Sequence, residues 1–212
     1  MTTLYYHQGA CSLAPHIVLQ WIGAPYKAVE IEFGTEEIRK LNPAGAVPIL
    51  QEDDGWTLTQ ADAILEYLVH KHPEADLAGG PSLREQADVN KWGSFITSDL
   101  HASFWPIFSP GRFTTDQSQK ALDDVAEAAK KTVAGKLKLV DDHLAGREWM
   151  AGEGKGKLSF LDAYIFPMLR WATAKLPNGI DDFPNVKALY ERVGANPDVQ
   201  KVMADEAKGA GK

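Results

Sequence analysis

Asn42-Pro43-Ala44-Gly45-Ala46-Val47-Pro48-Ile49-Leu50, read with Trp56-Thr57-Leu58 just downstream, is the stretch on which the fold turns. Asn42 to Gly45 is a turn by composition. Val47–Leu50 and Trp56–Leu58 read as two strands joined through Asp53-Asp54-Gly55, a hairpin signal. Pro48 cannot donate to a strand ladder, so it marks a bend or an edge. Upstream, Tyr26 to Phe33 alternates apolar and charged residues and is expected to be a strand. Before it, Leu13, Ile17, Val18 and Trp21 recur at helical spacing within Cys11–Ile22, and Gly23-Ala24-Pro25 stops that helix. Leu4-Tyr5-Tyr6 is a short strand pattern. Downstream, Ala61–His72 is helical, with Ile64, Leu65, Leu68 and Val69 on one face and Pro73 closing it. The order is βαβ then ββα, a small mixed sheet with helices.

Beyond Leu77-Ala78-Gly79-Gly80-Pro81 the pattern changes to helix throughout. Ser82 is positioned to cap a helix reaching about Phe108, with Pro106 and Pro110-Gly111 breaking its end. A long helix is expected over Asp116–Leu144. Ser159-Phe160-Leu161-Asp162 opens another as a capping-box variant running to about Lys175. Val186–Val193 and Pro197–Ala207 form two more, and Lys208–Lys212 is expected to be a frayed tail. This predicts an α/β domain over residues 1–78, a linker at 79–81 and an all-α domain over 82–212.

The 212 residues carry a net charge of −7 and are 44% hydrophobic, which is ordinary globular composition. Residues 1–80 hold four basic and eleven acidic side chains, and the remaining residues balance at eighteen of each. Neither half is basic, which argues against nucleic acid or an anionic membrane as the main partner. No apolar run is long enough to span a bilayer, and Met1-Thr2-Thr3-Leu4 carries no signal-peptide pattern, so a cytoplasmic location is expected. The single cysteine, Cys11, can form neither an internal disulfide nor a cysteine-based zinc site. His70 and His72 are not spaced for one helical face, so no metal site is expected.

Five pieces carry a resemblance: Leu4-Tyr5-Tyr6, Gly9-Ala10-Cys11-Ser12-Leu13-Ala14-Pro15-His16, Asn42–Leu50, Leu58-Thr59-Gln60-Ala61 with Ala63-Ile64, and Asp162-Ala163-Tyr164. In this order and spacing the chain resembles a cytosolic glutathione S-transferase, closest to the bacterial beta class. The resemblance implies a thioredoxin-like N-terminal domain, an all-helical C-terminal domain, glutathione as co-substrate and a homodimer.

Cys11 sits near a helix N-terminus, where unpaired N–H groups and the helix dipole favour an anion, so its thiol is a candidate for a lowered pKa. The bland alternative is a buried small hydrophobe. The resemblance favours the functional reading, because the beta class carries cysteine at this position. Position 14 is alanine, which excludes a Cys-x-x-Cys redox pair. A second route leaves the thiolate on glutathione, with Cys11, Tyr6 or Ser12 donating a hydrogen bond to it. Tyr6 also reads as a plain strand aromatic. The resemblance further implies a cis bond at Pro48, backbone contacts from Val47 to the cysteinyl unit, and contacts from Ala10, Gln60 and Ala61 to glutathione. His101 matches a beta-class active-site histidine, and with Phe104, Trp105 and Phe108 it can line a pocket for a second, apolar substrate. At helical spacing those aromatics fit the core equally well.

Several positions depart from the beta-class pattern: Ala61 lacks the usual hydroxyl, Ala102 stands where a lysine is expected, and Ser94 stands for a cross-subunit asparagine. Segment 34–41 is short and lacks the lysine that contacts glutathione, with Arg39 or Lys40 as substitutes. The leading expectation is a transferase joining the glutathione thiolate to small, electrophilic, largely apolar compounds. The alternatives are a glutathione-dependent thiol transferase or reductase using Cys11 as mixed-disulfide nucleophile, and a non-catalytic binding protein of the same fold.

Overall fold

The computed structural model describes residues 1–209. Its sheet is built from β1 (Thr2–Tyr6), β2 (Tyr26–Glu30), β3 (Ile49–Gln51) and β4 (Thr57–Thr59), in the order β2-β1-β3-β4. β1 runs parallel to β2, with Leu4 opposite Ala28, and antiparallel to β3, with Leu4 opposite Leu50. The β3–β4 hairpin sets Leu50 against Leu58. The parallel pair requires a crossover, and α1 (Leu13–Ile22) supplies it. Gly23 ends α1 in the left-handed conformation at φ 73°, as the Gly-then-Pro punctuation predicts. β2 stops at Glu30, short of the expected Phe33.

The polar stretch before Asn42 contains a helix that apolar periodicity does not reveal. α2 (Glu36–Leu41) is short, capped by Thr35 and buries only Ile38. Between it and β3, the Asn42 side chain closes the loop, accepting from the Ala44 N–H and donating to the Ala46 carbonyl at 2.7 Å. The Val47–Pro48 bond is cis. α3 (Ala61–Lys71) follows β4 with Ile64, Leu65, Leu68 and Val69 buried, the expected face.

The remaining helices are α4 (Leu83–Phe95), α5 (Trp105–Phe108), α6 (Gln119–His143), α7 (Phe160–Lys175), α8 (Pro184–Gly194) and α9 (Pro197–Gly209). The single helix expected over 82–108 is divided. α4 passes into a π-helical turn over Ile96–His101, and α5 restarts with Pro106 in its first turn. α9 carries Lys208 and Gly209 of the expected frayed tail, and 210–212 lie outside the described residues. α7 is the most deeply buried helix, with Phe160, Leu161, Tyr164, Ile165 and Met168 all but inaccessible. Its start is held by a capping box in which Asp162 accepts from the Ser159 N–H at 2.8 Å, while its other oxygen takes the Met150 N–H at 2.9 Å. α7 packs on α1, and a buried His16–Glu206 contact of 2.9 Å ties α1 to α9. Late segments of the chain thereby fix the helix that Cys11 precedes.

Candidate functional site

A cavity of about 520 Å³ lies between the two parts. One wall comes from the α/β part: the β1–α1 loop from His7 to Cys11, Phe33, the 42–48 loop, and Gln60 and Ala61 at the start of α3. The other wall comes from the helices: Thr97 and His101 in the π-helical turn, Trp105 and Phe108 on α5, and Tyr164 and Trp171 on α7.

Most of the residues singled out in the sequence meet here. Ala10, Cys11, Val47, Pro48, Gln60, Ala61, His101, Trp105 and Phe108 all line the cavity. Three do not. Phe104 is fully buried, its ring beside Phe108 and Trp171, so it supports the aromatic wall from behind. Ser12 is also fully buried, and its hydroxyl is spent locally, accepting from the His7 N–H at 3.1 Å and donating to the His7 carbonyl at 3.2 Å. Tyr6 points to the far side of the sheet, its ring against His16 and its hydroxyl near Glu30 and Gly209. Burial, reinforced by Glu30, raises its pKa. Alternation explains that outcome: β1 buries Leu4 and Tyr6 in the main core on α1, while Tyr5 packs with the small cluster on the opposite face.

Cys11 is 9% exposed, and its thiol lies 3.6 Å from the Val47 carbonyl. The N–H groups of Cys11 and Ser12 favour the thiolate, as the sequence position suggests, but burial outweighs them and pushes the pKa up to about 12. In this setting burial holds the Cys11 thiol neutral, against the lowered pKa that its position before α1 suggests, and leaves it able to donate a hydrogen bond.

Gln60 adopts φ 75°, ψ 119°, a conformation costly for a side chain with a Cβ, immediately before α3. The strain turns the chain so that the Gln60–Ala61 segment faces the cavity at a helix N-terminus, a site suited to a carboxylate. Behind it, Asp62 has an Oδ1 atom that is buried without a partner, close against Gly93 of α4. Burial, with Glu66 adding to it, pushes the Asp62 pKa up to about 6.

His101 is held neutral, burial pushing its pKa down to about 4, and it stacks on Trp105 with ring centres 5.7 Å apart. Neither substitute cation lines the cavity: the Arg39 guanidinium donates to the Gly34 carbonyl at 2.9 Å, and Lys40 is exposed. Ser94 is exposed and its carbonyl accepts from Ser98. Ala102 is not in the wall either.

The cavity also holds residues that sequence reasoning missed. His7 and Phe33 contact each other at 4.4 Å between ring centres. Thr97 bonds the Tyr164 hydroxyl at 2.8 Å, and the Trp171 indole N–H donates to the Gly9 carbonyl at 2.8 Å across 162 residues. Tyr164 was legible only as part of Asp162-Ala163-Tyr164. Trp171 carries no motif; its place follows from α7 passing under the β1–α1 loop.

Among the described residues no helix is long and apolar enough to cross a membrane, and no group of three or more His, Cys, Asp or Glu is arranged to hold a metal.

Two family models match the chain: the glutathione S-transferase N-terminal domain over residues 12–76 and the C-terminal domain over 98–206. Glutathione S-transferase GST-4.5 of Xanthomonas campestris is 36% identical, over 96% of this chain and 98% of its own. The solved bacterial beta class glutathione S-transferase of Sphingomonas chungbukensis is 33% identical with a TM-score of 0.83, covering 96% of this chain and 98% of its own. A sphingomonad glutathione S-transferase solved in complex with glutathione is 31% identical with a TM-score of 0.81, covering 97% and 98%.

Proposed function

Because this chain belongs to the glutathione S-transferase family, we propose that its cavity holds reduced glutathione along the α/β wall and a small, electrophilic, largely apolar compound against the helical wall. The protein is an enzyme of the transferase class. The glutathione-bound sphingomonad relative supports the first half of this assignment. The observation that carries it is the division of the cavity: one wall offers backbone groups around a thiol, and the other offers His101, Trp105, Phe108 and Trp171.

In this reading the Val47 backbone pairs with the cysteinyl unit, beside the cis Val47–Pro48 bond. The γ-glutamyl carboxylate meets Gln60 and the Ala61 N–H at the start of α3. The glutathione sulfur comes to the Ala10–Cys11 turn, where Cys11, neutral, donates its S–H, and the N–H groups near the start of α1 favour negative charge. Thiolate formation releases a proton to solvent. The sulfur lone pair then forms a carbon–sulfur bond and the leaving group departs with its electrons, or, in an addition, the electrons move onto the acceptor. Bringing the two reactants together supplies much of the acceleration. A neutral His101 contributes a hydrogen-bonding edge and a stacking face, not a cation. We also assign the chain a homodimeric state and a cytoplasmic location, both typical of the family, with light scattering as the check on the first.

Calorimetric titration of reduced glutathione into thiol-stripped protein tests the assignment. One saturable site per chain is expected. No heat, with an unchanged melting temperature at high glutathione, would sink it and leave a non-catalytic binding protein.

A further inference from the structure

Beside the main cavity lies a second hollow of about 210 Å³, lined by Gly9, Pro167, Arg170, Trp171, Ala174 and Lys175. Gly9 and Trp171 belong to both. Their 2.8 Å hydrogen bond fixes a shared rim, with the reacting site on one side and the hollow on the other. Pro167, Trp171 and Ala174 recur at i, i+4 and i+7 along α7 and give the hollow an apolar floor. Arg170 and Lys175 flank that floor.

Among the described residues, Arg170 and Lys175, like Lys27, Lys40, Arg84 and Lys131, carry charge that no neighbour neutralises. Many lysines of this acidic chain are engaged with carboxylates, as in Lys136–Asp99, Lys187–Asp181 and Lys201–Asp205. Among the described residues, neither Arg170 nor Lys175 has an ion-pair or hydrogen-bond partner. The main cavity is lined by neither lysine nor arginine.

We propose that this hollow is an anionic subsite that receives a carboxylate carried at the far end of the second substrate. The electrophilic carbon of that substrate lies in the main cavity against Trp171, and its carboxylate reaches past the edge of the indole to the Arg170–Lys175 side. The subsite extends the transferase reading and rests on it: it selects aromatic electrophiles bearing an acidic group over neutral ones of equal reactivity.

The test compares chlorodinitrobenzene with its ring carboxylate, chlorodinitrobenzoate, at saturating glutathione. In both, a sulfur–aryl bond forms, the carbon–chlorine bond breaks, chloride leaves with the electron pair and the thiol proton goes to solvent. Two partly exposed ion pairs are worth roughly a five- to tenfold effect together, so the Arg170→Ala/Lys175→Ala variant should raise KM for the benzoate by that factor. KM for the neutral arene should stay within about twofold, and added salt should weaken only the benzoate in the wild-type protein. Dissociation constants of the two glutathione conjugates, read by tryptophan fluorescence, give the same comparison without turnover. Equal responses of both substrates and both conjugates to the double substitution would overturn the subsite while leaving the transferase intact. Failure of glutathione and both conjugates to bind would instead overturn the transferase reading, and the subsite with it.

Discussion

Replacing Asp62 by asparagine should stabilise the protein at alkaline pH and do nothing at acid pH. The Asp62 Oδ1 atom is buried without a hydrogen-bond partner, with Gly93 packed against it. Its folded pKa is raised from 3.8 to about 6, chiefly by burial. Because the folded pKa lies above the unfolded one, the protonated carboxyl is the form the fold favours. Its stabilising contribution is complete below pH 3.8 and is lost as the pH rises through about 6. A shift of about two units corresponds to roughly 3 kcal/mol, and solvent screening of this half-buried group reduces that to about 1 kcal/mol. The asparagine side chain does not titrate, so the Asp62→Asn variant should exceed the wild type by about 1 kcal/mol at about pH 8, a rise in Tm of roughly 2–4 °C for a chain of this size. Near pH 4 the two should coincide. Urea unfolding at both pH values, with the m value unchanged, reads the difference directly. A variant less stable at pH 8, or a gap equal at both pH values, would refute the reasoning, because Asp62 would then be held by interactions that favour its charge.

Three further predictions concern the site itself. Gln60→Gly should relieve the φ 75° strain and raise stability by about 1 kcal/mol in urea unfolding, while calorimetry shows weakened glutathione binding because the amide is gone; a loss of stability would mean that Gln60 is not strained. Cys11→Ser keeps a donor and should retain most of kcat, whereas Cys11→Ala, lacking it, should lower kcat by about tenfold, the worth of one hydrogen bond to an anion; equal loss in both variants would point to Cys11 as the nucleophile. The pH profile of kcat/KM should show no ionisation from His101 between about pH 5 and 8, since its pKa is about 4, and His101→Gln should leave the shape of that profile unchanged.

Several residues that line the cavity come from short local segments. The 42–45 turn and the start of α3 are each readable within a few positions, whereas Val47, Pro48, Gln60 and Ala61 are picked out as site residues through the resemblance carried by Asn42–Leu50 and Leu58–Ala61. Tyr6, Ser12 and Phe104 fall outside the cavity lining, a choice left open by the sequence because a residue type and its spacing do not say which face it presents. Ser12 satisfies backbone groups of its own loop, and Tyr6 and Phe104 fill the core. α2 escaped because six residues with one buried side chain leave no periodicity to detect. The break after Phe95 escaped because a π-helical turn changes the backbone register without a distinctive composition.

What the sequence determined by itself is the order of the four strands with α1 and α3, the change from mixed α/β to helix after Gly79-Gly80-Pro81, and the capping of α4 and α7, all consequences of periodicity and short-range hydrogen bonding. Tertiary structure decided the chemistry. Cys11 sits where a helix N-terminus would lower its pKa, yet burial reverses the sign, since desolvation of a thiolate exceeds the attraction of two N–H groups. His101 is made neutral in the same way. The Trp171–Gly9 bond joins residues 162 positions apart, a proximity set by the packing of α7 on α1 and invisible to any local pattern.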